Sequence, residues 1–481
     1  MSLVKYIAIG MLPLLHAEGP RFMQFVKALS PEYVIPSKTV IKDRLEVLYQ
    51  SVRKDILATL RNFYDVSITT DAWTSRSAVS FITITVHAID ELWNLYSVTL
   101  NTLEMTESHS AANIYHHLCN ALSEWNLADK TIAVVHDNAR NMVAAMRESS
   151  TADIKIGQSV RCVCHSLQLV IKKAFNEEHF QIHLQKVSAI VGHFKHSYKA
   201  TKALKDAQKL HNLPDHSLIS YCVTRWNSAY NMIERLLEQR QAVESVLLNL
   251  EFTTTVMCKK LLLRNLEWNY LKDLVRILKP FEVATKIMSS QTESTSGMVR
   301  PLIHSMIDKF LVLDDSDDPP KIQSLKEVFR EELEAQFLEE DYDSVPALAC
   351  FLDPRYKNMA DETQEFRESV QEKILEIMAK ENVKETPAAI TKNKREKNLD
   401  YLFNCEALSQ SFERMASFES DNPNYLDNEN EREINSFKME PNIPLGDNPL
   451  HWWHSKRHKF PKLARLARRY LGVPASTKPI G

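Results

Sequence analysis

The chain has 481 residues, 44% of them hydrophobic and 25% charged, enough for two or three domains with a large buried core in an ordinary soluble globular protein. Its formal net charge of -3 provides no global attraction to nucleic acid. It has only 8 glycines and neither GxGxxG nor GxxxxGK[ST], which favours helix and excludes the common nucleotide-binding loops.

In chain order, "MSLVKYIAIGMLPLLHAEG" poses the first question. One lysine and an apolar run resemble a secretory leader, but there is no N-x-[ST] sequon, and seven dispersed cysteines fit a reducing compartment. The stretch is therefore expected to be a core helix, and residues 1–62 a helical segment with a loop at "LSPEYVIPSK". No apolar run reaches the roughly 18 residues of a membrane span, so no membrane partner is expected.

Residues 63–165 change character. "VSITTDAW" (66–73), "SFITITVHAI" (80–89) and "LYSVTLNTL" (95–103) are β-branched and aromatic, and predict three antiparallel strands. Residues 110–125 carry helical spacing at Ile114, Leu118 and Leu122. "KTIAVVHDNA" (130–139) predicts a short buried strand ending at Asp137, "ARNMVAAMRE" a helix, and 155–164 a further strand. The order is β-β-β-α-β-α-β. A right-handed crossover makes the fourth strand parallel to the first, so Asp71 and Asp137 emerge side by side if those strands are neighbours. Two readings stand: a pair of metal ligands for phosphoryl transfer, or two unrelated aspartates at strand ends.

Residues 166–390 have apolar spacing of three and four and predict an all-helical domain. Residues 391–448 are polar and acidic and predict a partly disordered linker. Residues 449–481 open with "PLHWW" and continue as a basic amphipathic helix, with seven Lys or Arg and no acid between 455 and 469. That run suits either phosphate contacts or the solvated face of a dimerisation helix.

Taken in order, "ITTDAWTSRS", "HSAANIYHHL", "VVHDNARNM", "RCVCHSLQLVI", "TRWNSAYNMIERLLEQ", "FLDPRYK" and "PLHWW…FPKLARLARRYLGVPAS" resemble the hAT transposase superfamily, especially its BED-zinc-finger branch, over nearly the whole chain. The resemblance implies an α/β fold: an RNase H-like mixed sheet interrupted by a large helical insertion, with a C-terminal dimerisation segment. It implies Asp71 and Asp137 as catalytic metal ligands for Mg²⁺ or Mn²⁺. It implies DNA contact by Cys162 and His165 of a CxxH turn and by Arg225 with Trp226, the indole stacking on a flipped base.

Two departures weigh against activity. The family's N-terminal Cys/His finger has no counterpart pattern here, and its third acid, in a Ser-Glu-Arg segment after "PAS", is replaced by "VPASTKPIG". Tyr221 and Val223 stand where relatives often have Asp and Pro. The core is therefore expected to be truncated at its C-terminal end, with apolar surface left bare. Asp71 and Asp137 are expected to be vestigial unless another Glu, such as one from 429–433, reaches them. Cys162, Cys164, His165, His193 and His196 are spaced too permissively to define zinc, and no zinc site or small-molecule cofactor is expected. The expected function is a nuclear, transposase-derived, catalytically inactive protein that binds DNA or protein, regulates transcription and pairs with itself or related hAT-type chains. The alternatives are a fragment of an active transposase and a product without function.

Overall fold

Five strands make one mixed sheet in the order β3-β2-β1-β4-β5. They belong to a computed structural model that describes residues 2–75, 77–151, 156–222, 226–313, 318–339, 341–382 and 423–477. The chain divides into two compact units, Met1–Tyr64 and Asp65–Gly481.

The first unit is helical: α1 (Ser2–Ile9), a 3₁₀ turn at Leu14–Glu18, α2 (Pro20–Leu29) and α3 (Lys38–Leu60). The leader-like stretch is a helix that buries Val4 and Ile7. Its small core gathers Ile7, Ala17 and Ile41. Pro20 presets the backbone of the first turn of α2. The Ser37 hydroxyl caps α3 by accepting the Val40 N–H.

In the second unit, β1 (Val66–Thr74), β2 (Ser80–Ile89) and β3 (Leu95–Glu104) form an antiparallel meander. The helix α4 (Ala111–Glu124) then returns the chain to β4 (Thr131–His136), which pairs parallel with β1. α5 (Arg140–Thr151) leads to β5 (Gln158–Arg161), parallel to β4. Alternation assigns the two faces. Ile68, Ile82, Ile84, Val86 and Val134 are fully buried on one. Ser67, Thr69, Thr83, Thr85 and His87 lie on the other by strand register. Gly157 enters β5 at φ +83°, and a Cβ there would meet the Ala133 nitrogen at 2.7 Å, so this approach requires glycine.

A long helical stretch follows: α6 (Val163–Phe175), α7 (Glu178–His196), α8 (Tyr198–Leu210), α9 (Trp226–Glu238), α10 (Arg240–Leu248), α11 (Thr255–Leu261), α12 (Asn265–Met288), α13 (Val299–Phe310) and α14 (Pro320–Leu333). It shares one apolar core running from Val163 to Phe337. The last helices are α15 (Val345–Leu352), α16 (Gln364–Asn382), α17 (Pro423–Met439), α18 (Pro449–Lys456) and α19 (Pro461–Leu471). They pack together around Trp453, whose indole N–H donates to the Leu352 carbonyl at 2.8 Å.

Three expectations are corrected here. The acidic linker holds helix α17, with Ile434 and Phe437 fully buried; its first part, 391–422, lies outside the described residues. Two apolar anchors one turn apart suffice to dock a helix whose remaining face is charged. The sheet face expected to lie bare is covered: Val473 packs with Ala133, Val135, Val160 and Cys162 in one cluster. Finally, β1 does not end at Asp71. It continues beside β2 to the pair Thr74↔Ser80, while its pairing with β4 stops at Thr70↔His136.

Candidate active site

Asp71 therefore sits where β1 loses its parallel neighbour. β4 leaves the ladder after His136, and Asp137 is the next residue on the facing strand. The register carries the two aspartates onto adjoining strands and the same face, where neighbouring strands run about 4.8 Å apart. Both are half-buried. Asp137 Oδ1 accepts the Ala139 N–H at 3.2 Å, a local turn that launches α5.

His136 is not available as a further ligand. It is fully buried, with Nδ1 at 2.6 Å from the Asp137 carbonyl and Nε2 at 2.8 Å from Ser159 Oγ. Burial, above all, pushes its pKa down and keeps the ring neutral.

The CxxH turn is a structural joint. Cys162 is the N-cap of α6 and only 3% exposed. Its Sγ lies 3.4 Å from Ser476 Oγ and accepts the Thr477 N–H, while the Val163 N–H donates to the Ala475 carbonyl at 2.9 Å. The turn thus pins the tail 473–477 across the sheet. Cys164 Sγ reaches Ser289 Oγ, and burial raises its thiol pKa. The Cys162 thiol, expected at a DNA contact, faces the tail. His165 is half-buried in the first turn of α6.

Trp226 is placed in the helical core. Its indole is 5% exposed and belongs to the helical core, packed from α9 among other apolar side chains, so in this conformation it presents no face to a base. Arg225 lies outside the described residues.

One acid not foreseen from the sequence enters the site's surroundings. Glu293, in the loop after α12, shares a cavity of about 470 Å³ with Asp71, Thr69, Thr85 and His87. The glutamates expected from 429–433 work elsewhere: Glu429 pairs with Lys462, and Glu433 accepts the Leu463 N–H at 2.8 Å, capping α19. No local signal marks Glu293, because more than two hundred residues separate it from Asp71.

Asp71 and Asp137 offer two carboxylates, one already engaged by a backbone N–H. Among the described residues no group of three or more His, Cys, Asp or Glu could hold a metal ion. This donor set does not fit a two-metal centre.

The basic run is fully employed within the chain. Lys456 and Lys459 pair with Glu440, Lys462 with Glu429, Arg465 with Glu381, and Arg469 with both Glu381 and Asp65. Arg457 and Arg468 donate to the carbonyls of His454 and Ile89. Several of these paired side chains still reach solvent, Lys459 at 51% and Arg465 at 40%.

Comparison with known proteins follows the same divisions. Residues 69–156 match the ZBED1 RNase-like domain, 160–277 the ZBED1 RNase-like helical domain, and 433–478 the hAT family C-terminal dimerisation region. The human zinc finger BED domain-containing protein 4 is 23% identical over 99% of this chain and 40% of its own length. The human zinc finger BED domain-containing protein 6 is 27% identical over 64% of this chain and 32% of its own. Zinc finger BED domain-containing protein RICESLEEPER 3 of Oryza sativa subsp. japonica is 22% identical over 99% of this chain and 64% of its own. The chain thus spans less than two thirds of each relative.

Proposed function

Because the chain belongs to the hAT transposase family, in its zinc finger BED-related branch, we propose that it is a transposase-derived nuclear protein without strand-cleaving activity that acts by binding. Its targets are DNA, protein, or both, in the manner of a transcription regulator, and it pairs with itself or related chains through 433–478. The observation that carries this reading is the two-carboxylate junction of β1 and β4. A site with Asp71 and Asp137 alone would bind Mg²⁺ weakly and stabilise little developing phosphate charge.

The competing reading is a fragment of a transposase that cuts and joins DNA with divalent metal. Its support is the register that places Asp71 beside Asp137. One experiment separates the two. The chain is incubated with duplex DNA in Mg²⁺ or Mn²⁺, and cleavage and binding anisotropy are measured together. The binding reading expects salt-dependent retention of intact duplex. Cleavage that disappears in D71N would overturn it.

A further inference from the structure

We infer that the exposed face of α8, with Lys195 beside it at the end of α7, is the surface that holds the phosphate backbone of DNA. The inference rests on the binding reading above and deepens it by naming the residues that make the contact.

The charge comes first. Between 195 and 209, "KHSYKATKALKDAQK" holds five lysines and a single acid, Asp206, in a chain whose net charge is -3. Lys195, Lys199, Lys202, Lys205 and Lys209 are all exposed, and among the described residues none of their side chains makes an ion pair or a hydrogen bond. Asp206 pairs with none of them. The C-terminal run is the reverse case, since its cations are met by acids or carbonyls of the chain. The acids of neighbouring elements are engaged away from α8. Glu238 lies 2.8 Å from Arg235 and 3.1 Å from His216, and Glu244 lies 3.2 Å from Arg240.

Helix geometry gathers these cations. At about 100° per residue, Lys202, Lys205 and Lys209 fall within roughly 60° of arc. They stand opposite Ala200, Ala203, Leu204 and Ala207, which α8 buries. Spacings of three and four residues make like charges repel on a helix surface, and a polyanion relieves that repulsion. The three span about 10 Å of helix axis, the length of about three phosphates of one strand at roughly 3.4 Å of duplex axis each. Tyr198, 83% exposed, stands in line with them and adds a ring and a hydroxyl.

The same face argues against other polyanions. A basic helix lies on a bilayer by sinking its apolar face, and α8 commits that face to the helical core. The centres of protein interfaces are depleted in lysine, whereas phosphate accepts a lysine ammonium as a point charge. The contact should therefore follow charge more than base sequence.

The test uses the full chain and a fluorescein-labelled DNA duplex, with binding anisotropy measured across a salt series. Replacing Lys202, Lys205 and Lys209 together with Gln removes three cations and keeps good helix formers. This variant should bind roughly ten-fold or more weakly at about 0.1 M salt, and its slope against log salt should be shallower by roughly 2.7, about 0.9 per lysine. Arg at the same three positions keeps the charge and should restore the slope, which separates charge from an effect on folding. An unchanged slope in the Gln variant overturns the inference. So does loss of binding to phosphatidylserine vesicles with duplex binding intact, which would assign the face to a membrane. If the unaltered chain holds duplex DNA and the Gln variant holds it equally, this inference alone fails. If the unaltered chain holds no DNA, the DNA-binding reading fails with it.

Discussion

Asp353 and Arg355 of "FLDPRYK" show what a charged residue can do when it is not a site. Asp353 is fully buried and takes the Arg355 guanidinium through both carboxylate oxygens, at 2.9 and 2.7 Å. Its Oδ1 also accepts the Arg355 N–H, and the next residues fasten the C-terminal region: Asn442 donates to the Arg355 carbonyl and Lys357 to the Lys438 carbonyl. Removing one member strands a buried charge, so Asp353→Ala is expected to cost about 3–5 kcal/mol in urea unfolding. His87 provides a pH-dependent counterpart. Its folded pKa, about 4, lies below the ordinary 6.5. Above 6.5 the ring is neutral in both states; below it the unfolded chain takes up a proton that the folded chain refuses. Stability is therefore complete above 6.5 and falls towards pH 4, by up to about 3 kcal/mol from this group. H87N should flatten that slope in melts between those limits, and an unchanged slope would count against the assignment. At this scale the sequence was informative where chemistry is local. Asp71 and Asp137 could be paired on condition that their strands are neighbours, because two short strands and one crossover set their direction, and the ladder supplies the adjacency. The burial of Cys162 and Trp226 and the arrival of Glu293 depend on packing with distant segments, which no local pattern encodes.

Elements were legible in proportion to their periodicity. β2 occupies the residues its alternation predicts, 80–89, and the crossover rule gave β4 its parallel direction; that β4 lies next to β1 is shown by the strand order. α17 was missed because its composition is acidic and only Ile434 and Phe437 anchor it among described positions with full burial. Phe437→Ala removes the ring that meets Phe351, Trp452, Trp453 and Phe460, and should cost about 3–5 kcal/mol. α19 was legible as a helix and illegible in its charge, because its cations were read without their acids. Each phosphate neutralised contributes a slope of about -0.9 to the dependence of binding on log salt. Lys459 and Lys462 are bound to Glu440 and Glu429, so replacing both with Ala should leave the salt slope of DNA binding unchanged. A slope shallower by about two would show that these side chains exchange acid for phosphate.

At the scale of the whole molecule, the dimerisation match covers 433–478, yet much of that span is already consumed internally. Leu463, Leu466 and Trp453 are fully buried, and the basic side chains of α19 hold α16, α17 and β2. A residue that closes its own core cannot also supply an interface without unfolding it. What the matched region leaves outside is the end of α17 and the loop after it, where Met439 is 87% and Leu445 68% exposed. Exposed apolar side chains flanking a folded core are what a second copy can bury without rearrangement. Substituting Asp at both positions should therefore weaken self-association by roughly ten-fold or more in sedimentation equilibrium. Surface changes of this kind should move the stability of the dilute chain by no more than about 0.5 kcal/mol. A lost dimer with an unchanged melt locates the contact on this rim. An unchanged dimer moves it to a surface outside α17 and its loop, and a lost dimer with a lowered melt means that these side chains support the fold itself.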